Sequence, residues 1–368
     1  MKPINTKKTF EQYFQKNNRI RWIQFDMKEL EFNLKKDNSS LEEVSKYRIR
    51  AVKKNINSFF AEDIIGKFVS PDSFEGYILY NGEQLICNTG KNIPINNGIP
   101  DFTIFSQVAL DEKEKQAKYH DDEEINEKFI EIVLRPYNYN KLHANIWLKP
   151  LYDLCRQVEK ISNRSFENFT ILNCGCGGGF EAQFFAEQGA KVVGFDISQL
   201  RAEAASTRFA LKDLAGFFYR GDAAILPFPN NTFDLVIYHD SLHHVPIEEI
   251  PLAIKEARRV AKKYIILSEA HDSPIRMILE SFGKSISIEA SGNYTFRFRK
   301  SLMQFWCQRF GMKLLLYKTT LTKKEHRSKI YSIPILGVLI YSVISIFGFF
   351  LSAFGNEALI IMEKEDKS

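Results

Sequence analysis

The sequence predicts an α/β fold built on a mostly parallel sheet of seven strands. Three observations carry that expectation. Short β-type runs at 169–174, 191–196, 216–221, 233–239, 263–269, 312–318 and 357–363 follow one another, with helical patterns between most of them. Alternating β and α is the signature of parallel strands joined by right-handed crossovers. The first run meets the glycine cluster Cys174-Gly175-Cys176-Gly177-Gly178-Gly179 and then a helical stretch, the layout of a nucleotide-binding βαβ unit. The second run ends in Asp196, where a carboxylate suits a ribose diol.

The elements before the sheet are less regular. Residues 1–60 hold fourteen Lys/Arg against seven Asp/Glu, so this end is strongly basic although the whole chain is only +5. Such an end attracts phosphates of nucleic acid or anionic lipid, or is a solvated face with surplus lysines. Ser40-Leu41-Glu42-Glu43 fits a capping box that opens a helix to about Phe59. Residues 76–105, GYILYNGEQLICNTGKNIPINNGIPDFTIF, are short β-type runs between Asn-Gly and Gly-Lys turns, a small β module. Residues 106–128 are rich in Asp, Glu and Lys and read as an exposed linker or helix. Residues 141–162 have helical spacing, with an interruption expected near Pro150. The expected domains are therefore 1–105, a basic helical segment plus the β module; 106–165, linker and helices; and 166–368, the sheet domain.

Composition sets the class. With 45% hydrophobic and 26% charged residues over 368 positions, the chain is of ordinary globular type and can bury a proper core. Five scattered cysteines imply no disulfide framework, so a reducing, cytoplasmic setting is expected. The start, MKPINTKKTF, lacks the apolar core of a signal peptide.

Which nucleotide the loop holds is decided by later segments. Gly177-Gly178-Gly179-Phe180-Glu181-Ala182 can be placed on the dinucleotide fingerprint, but that alone is weak. Gly221-Asp222-Ala223 closes the third strand and Leu226-Pro227-Phe228-Pro229 follows. Then come Phe233-Asp234-Leu235-Val236 and Ser241-Leu242-His243-His244-Val245. Over about 165–365 this set resembles the class I S-adenosylmethionine-dependent methyltransferases, in the branch of the ubiquinone and menaquinone methyltransferases. The resemblance implies a Rossmann-like methyltransferase sheet and S-adenosyl-L-methionine as cofactor. It implies that Gly175, Cys176, Gly177 and Gly179 line the methionine and ribose, with Asn173 where the family often has an acid. It implies that Asp196, with Ile197 and Ser198, holds the ribose. Asp222 and Ala223 would sit at the adenine edge, and His239 and Asp240 would border the methyl-transfer site.

A sulfonium methyl is electrophilic by itself, so such an enzyme works chiefly by alignment. A hydroxyl or acidic-carbon acceptor needs a base as well, and a histidine suits that task. His243, His244 and His239 are the candidates, or His243 and His244 simply cap a helix. Glu269 and His271, after the fifth strand, are secondary candidates. Arg297 and Arg299 would grip an anionic acceptor or alternate outward on a strand. Cys174 and Cys176 are read as structural, and no metal site is expected.

LICNTGKNIPINNGIPDF resembles the zinc-ribbon-like module that precedes some bacterial methyltransferase domains. It keeps Ile93-Pro94-Ile95 and Gly98-Ile99-Pro100 but only Cys87, so the resemblance implies a ribbon that has lost its metal. Residues 330–356 contain no charge and follow Lys323, Lys324, Arg327 and Lys329. They read as an apolar helical insertion, 323–356, that returns to the side it left and contacts an anionic membrane peripherally at its inner face, or forms a lid or interface. The expected acceptor is a small molecule, lipid or glycan precursor. RNA, or a non-catalytic cofactor-binding role, is the alternative.

Overall fold

The computed structural model describes residues 48, 50–55, 68–69, 79–80, 84–87, 89–122, 129, 132–133, 141–273, 278, 280–282, 288, 291–320 and 355–365. A small antiparallel sheet comes first: β1 (Leu79–Tyr80), β2 (Gln84–Ile86), β3 (Asn92–Asn96) and β4 (Ile99–Pro100), in that spatial order. Helices α1 (Leu110–Asp121) and α2 (Lys141–Ser162) lead to the main sheet. There β5 (Thr170–Cys174), α3 (Phe180–Ala186), β6 (Lys191–Asp196), α4 (Gln199–Leu211) and β7 (Phe217–Arg220) follow in turn. After them come β8 (Phe233–His239), α5 (Ile250–Val260), β9 (Ala261–Ala270), α6 (Lys300–Phe310), β10 (Met312–Thr320) and β11 (Glu357–Lys364).

All seven strands expected from the sequence are present, in the order β10-β11-β9-β8-β5-β6-β7. β5 pairs in parallel with both β6 and β8, while β11 runs antiparallel between β10 and β9. Ile171 and Leu172 show why the centre reads as an unbroken apolar run. Each is fully buried, but on opposite faces. Ile171 packs in the layer of α2, α3 and α4, with Leu154, Phe185 and Phe209. Leu172 packs in the layer of α5 and α6, with Ile254 and Trp306. A parallel sheet covered on both faces demands apolar side chains at every position. Each fully buried Leu or Ile contributes about 1.5–3 kcal/mol relative to exposure.

The expected interruption at Pro150 is not seen, since α2 runs unbroken from 141 to 162. An interior proline costs about 3 kcal/mol. Burial of Leu151, Leu154 and Val158 in the turns that follow offsets it.

The β module shares the main core. Leu85, Ile93, Phe102 and Phe105 belong to the same apolar cluster as Phe217 and Tyr219 of β7. Asn55 ties the two sheets: its Nδ2 donates to the carbonyls of Gly98 and Phe218, and its Oδ1 accepts from the Phe218 N–H. Cys87 is buried, with its Sγ 2.7 Å from Thr89 Oγ1. The helix expected over 40–59 is described only at 48 and 50–55, where it is helical.

Residues 321–354, the body of the apolar insertion, lie outside the described residues. Its roots are described. Asn356 N–H donates to the Thr320 carbonyl at 3.1 Å, and Glu357 pairs with both Thr320 and Ala270. The insertion therefore leaves and returns at the C-terminal edge of the parallel strands. Among the described residues, no helix is long and apolar enough to cross a membrane.

Candidate functional site

Strand order reverses between β5, which leads on to β6 and β7, and β8, which leads on to β9. The loops after β5 and β8 must therefore part at that point, and open α/β sheets bind ligands in the resulting crevice. A cavity of about 300 Å³ lies there. The two loops meet closely: a Cβ on Gly175 (φ +61°) would fall 2.6 Å from the Ser241 Cβ. Ser241 Oγ donates to the Cys174 carbonyl at 2.9 Å and fixes the spacing. Gly177 differs. Its φ is +50°, and a Cβ there would meet nothing within 4 Å. That position presents bare backbone to the cavity.

Asp196 ends β6 and organises the loop. Its Oδ2 accepts from the Gly177 N–H at 2.9 Å and its Oδ1 from the Ser198 N–H at 3.0 Å. Burial raises its pKa above the ordinary carboxylate value, and the two backbone donors oppose the rise. Of the residues expected to hold the cofactor, Gly175, Cys176, Gly177, Asp196, Ile197, Asp222, Ala223 and Asp240 line this cavity. Cys176 and Cys174 are free and buried, and burial pushes both thiols up.

Three expected residues stand behind the wall instead. Gly179 caps α3 at φ +78°, where a Cβ would fall 2.9 Å from that of Ala205. Ser198 is fully buried; its Oγ caps α4 by accepting from the Arg201 N–H and donates to Asp121 Oδ1 at 2.6 Å. Asn173 is buried in the middle of β5, and its Oδ1 has no hydrogen-bond partner among the described residues. In each case local packing, not distance along the chain, keeps the residue behind the cavity wall.

The histidines divide in the same way. His239 and His244 line the cavity and His243 does not. His239 Nδ1 lies 3.0 Å from Glu181 Oε1, another cavity residue. Burial alone would lower the His239 pKa, but the bond and charge of Glu181, with Glu357 and Asp240 nearby, raise it. His243 is turned into the protein, where its Nδ1 meets Glu269 Oε2 at 2.6 Å. The other Glu269 oxygen accepts from the Ser241 and Leu242 N–H groups. Asp240, His243 and Glu269 place ligand-type atoms within 4.8 Å of one another. Two of those three are already bonded as a hydrogen-bond network. His271 is likewise engaged, with Tyr317 Oη at 2.8 Å, and Arg299 pairs with Asp272. Neither these nor Arg297 reach the cavity wall.

The main omission of the sequence reading is α1. Of the two expectations for 106–128, linker or helix, residues 110–121 are helical, and Lys113, Gln116 and His120 line the site from one helical face instead of being exposed. They recur at i, i+3 and i+7 but are polar, so the apolar periodicity that announces a packed helix is missing there. Glu181, Arg201 and Arg208 also line it. Arg208 is almost wholly buried and ties the glycine loop to its surroundings through Gly178 O at 2.6 Å and Ile132 O at 2.8 Å.

Residues 171–264 match the methyltransferase domain family. An uncharacterized methyltransferase of Bacillus subtilis is 25% identical over 152 residues, covering 40% of this chain and 57% of that protein. A ubiquinone biosynthesis O-methyltransferase of Bartonella quintana is 33% identical over 87 residues, covering 24% and 35%. The chain thus spans about a third to just over half the length of these relatives. Among solved structures, magnesium protoporphyrin IX methyltransferase of Synechocystis with bound S-adenosylhomocysteine aligns with a TM-score of 0.47 at 16% identity, over 69% of this chain and all of that one. The similarity to the methyltransferase domain family thus lies within the sheet domain, over residues 171–264.

Proposed function

We propose that this chain, with its methyltransferase domain at 171–264, transfers a methyl group from S-adenosylmethionine to a small-molecule, lipid or glycan-precursor acceptor. The observation that carries this reading is the Gly177–Asp196 arrangement. A bare-backbone glycine and a carboxylate fixed by two N–H groups face one cavity at the switch point of the sheet. Asp196 would accept from the ribose hydroxyls, Asp222 and Ala223 would meet the adenine, and the Gly175–Gly177 backbone would pass beside the amino-acid end. The cofactor supplies an electrophilic methyl group. The chain supplies alignment and exclusion of water, with α1 closing one side. In this reading His244, which like Asp240 lines the cavity, would take a proton from an acceptor.

The uncharged stretch 330–356, rooted at the cavity-bearing edge of the sheet, supports an apolar or lipid-linked acceptor met at the inner face of an anionic membrane. The ribbon-like module, without its metal, then serves as packing for β7. The test is transfer of labelled methyl from S-adenosylmethionine into fractionated cell extract. Label entering the lipid or small-molecule fraction is the expected result. Label in RNA alone, or in nothing, would overturn the reading.

A further inference from the structure

The cavity has an ion-pair node, one member of which, Lys113, lies outside the matched residues 171–264. Lys113 comes from α1 and Asp222 from the turn after β7; Glu249 immediately precedes α5. All three side chains are almost wholly buried. Lys113 Nζ donates to Asp222 Oδ2 at 2.5 Å and lies 2.7 Å from Glu249 Oε2. Ser106 Oγ also donates to Asp222 Oδ2, at 2.6 Å, and the Ala224 N–H donates to Oδ1 at 2.9 Å. Among the described residues, each hydrogen bond to the Asp222 carboxylate comes from a donor: Lys113, Ser106 and the Ala224 N–H. Lys113 and Asp222 both line the cavity.

Protonation would change what such a carboxylate can recognise. Ionised, it only accepts hydrogen bonds; protonated, it also donates one. A 6-aminopurine offers a donor at its 6-position, and a 6-oxopurine offers an acceptor.

We propose that Lys113 is a positioning residue for the adenine end of the site: it holds Asp222 as an oriented acceptor and so selects a 6-amino over a 6-oxo purine. The inference rests on the S-adenosyl reading of the cavity. It makes α1, which lies outside residues 171–264, part of cofactor recognition. Glu249 shares the ammonium and keeps it at the cavity wall.

The test is calorimetric titration of the full chain with S-adenosyl-L-homocysteine and with its 6-oxo counterpart, S-inosyl-L-homocysteine. The wild type should prefer the adenosyl form by roughly 10- to 100-fold. Lys113→Gln should bring the ratio towards one, and Lys113→Arg should keep most of it. A purely structural role would weaken both ligands together and leave the ratio intact. Ser106→Ala strands no buried charge and should lower the ratio about two- to fivefold. This second variant decides the matter if Lys113→Gln does not fold. A wild-type ratio retained in folded Lys113→Gln, or in Ser106→Ala if that variant alone folds, overturns the role of the node. Equal wild-type binding of both ligands removes the Asp222 contact with adenine and the inference with it. Binding of neither removes the cofactor reading itself.

Discussion

Asp196→Ala is the most direct perturbation of the proposed cofactor site. The carboxylate does two things, and they separate. It satisfies the N–H groups of Gly177 and Ser198, at 2.9 and 3.0 Å. Leaving a buried donor unmet costs about 1–3 kcal/mol each, towards the low end here because the cavity can admit water. It also faces the cavity, where charge-assisted bonds to two ribose hydroxyls would contribute about 1.5–3 kcal/mol. The second effect is roughly a 10- to 150-fold loss of affinity. Isothermal calorimetry with S-adenosylhomocysteine measures it, with circular dichroism to confirm folding. Ser198→Ala is the control: its hydroxyl caps α4 and does not line the cavity. It should cost about 1 kcal/mol of stability and leave the affinity unchanged. Burial raises the Asp196 pKa, so ligand affinity should fall as pH drops through that raised value. Equal affinity in wild type and Asp196→Ala would refute the reasoning, and tight NAD binding would replace it with a dehydrogenase.

The two adjacent histidines should behave differently. His244→Ala should lower methyl transfer about 10²–10⁴-fold while cofactor affinity is kept; unchanged turnover with the true acceptor would place the base elsewhere. His243→Ala should instead lower the unfolding free energy by about 1–3 kcal/mol, because it removes the His243 bond to Oε2 of buried Glu269, and unaltered urea midpoints would contradict this. The raised pKa of His239 means that its pairing stabilises the fold fully below about pH 6.5 and loses that effect as pH rises through the folded value. The stability gap between wild type and Glu181→Gln should therefore narrow from about pH 6 to pH 9 in urea titrations, and a constant gap would count against the pairing. Full-length protein should float with anionic liposomes, and deletion of 331–354 should abolish that; a full-length chain that stays in solution would end the membrane reading.

The sequence by itself determined the sheet and the centre of the site. Unbroken apolar runs such as Ile265-Ile266-Leu267 can be satisfied only by burial on both faces, and a glycine cluster between strand and helix leaves the backbone few alternatives. Asp196 and Gly177 were legible for the same local reason: one ends a strand, and the other starts the turn beside it. The tertiary structure decided which neighbours look into the cavity. His243 and His244 are adjacent in sequence, yet Glu269 draws one inward and leaves the other lining the wall. The charged helix α1 has no apolar face to announce its packing. Its place over the cavity follows from Lys113 meeting Asp222 and Glu249, and from Asp121 accepting from Ser198 and the Leu200 N–H. Those partners lie some 80 to 140 residues away. A local pattern fixes the path of the backbone; which buried charges find one another is settled only when distant segments pack.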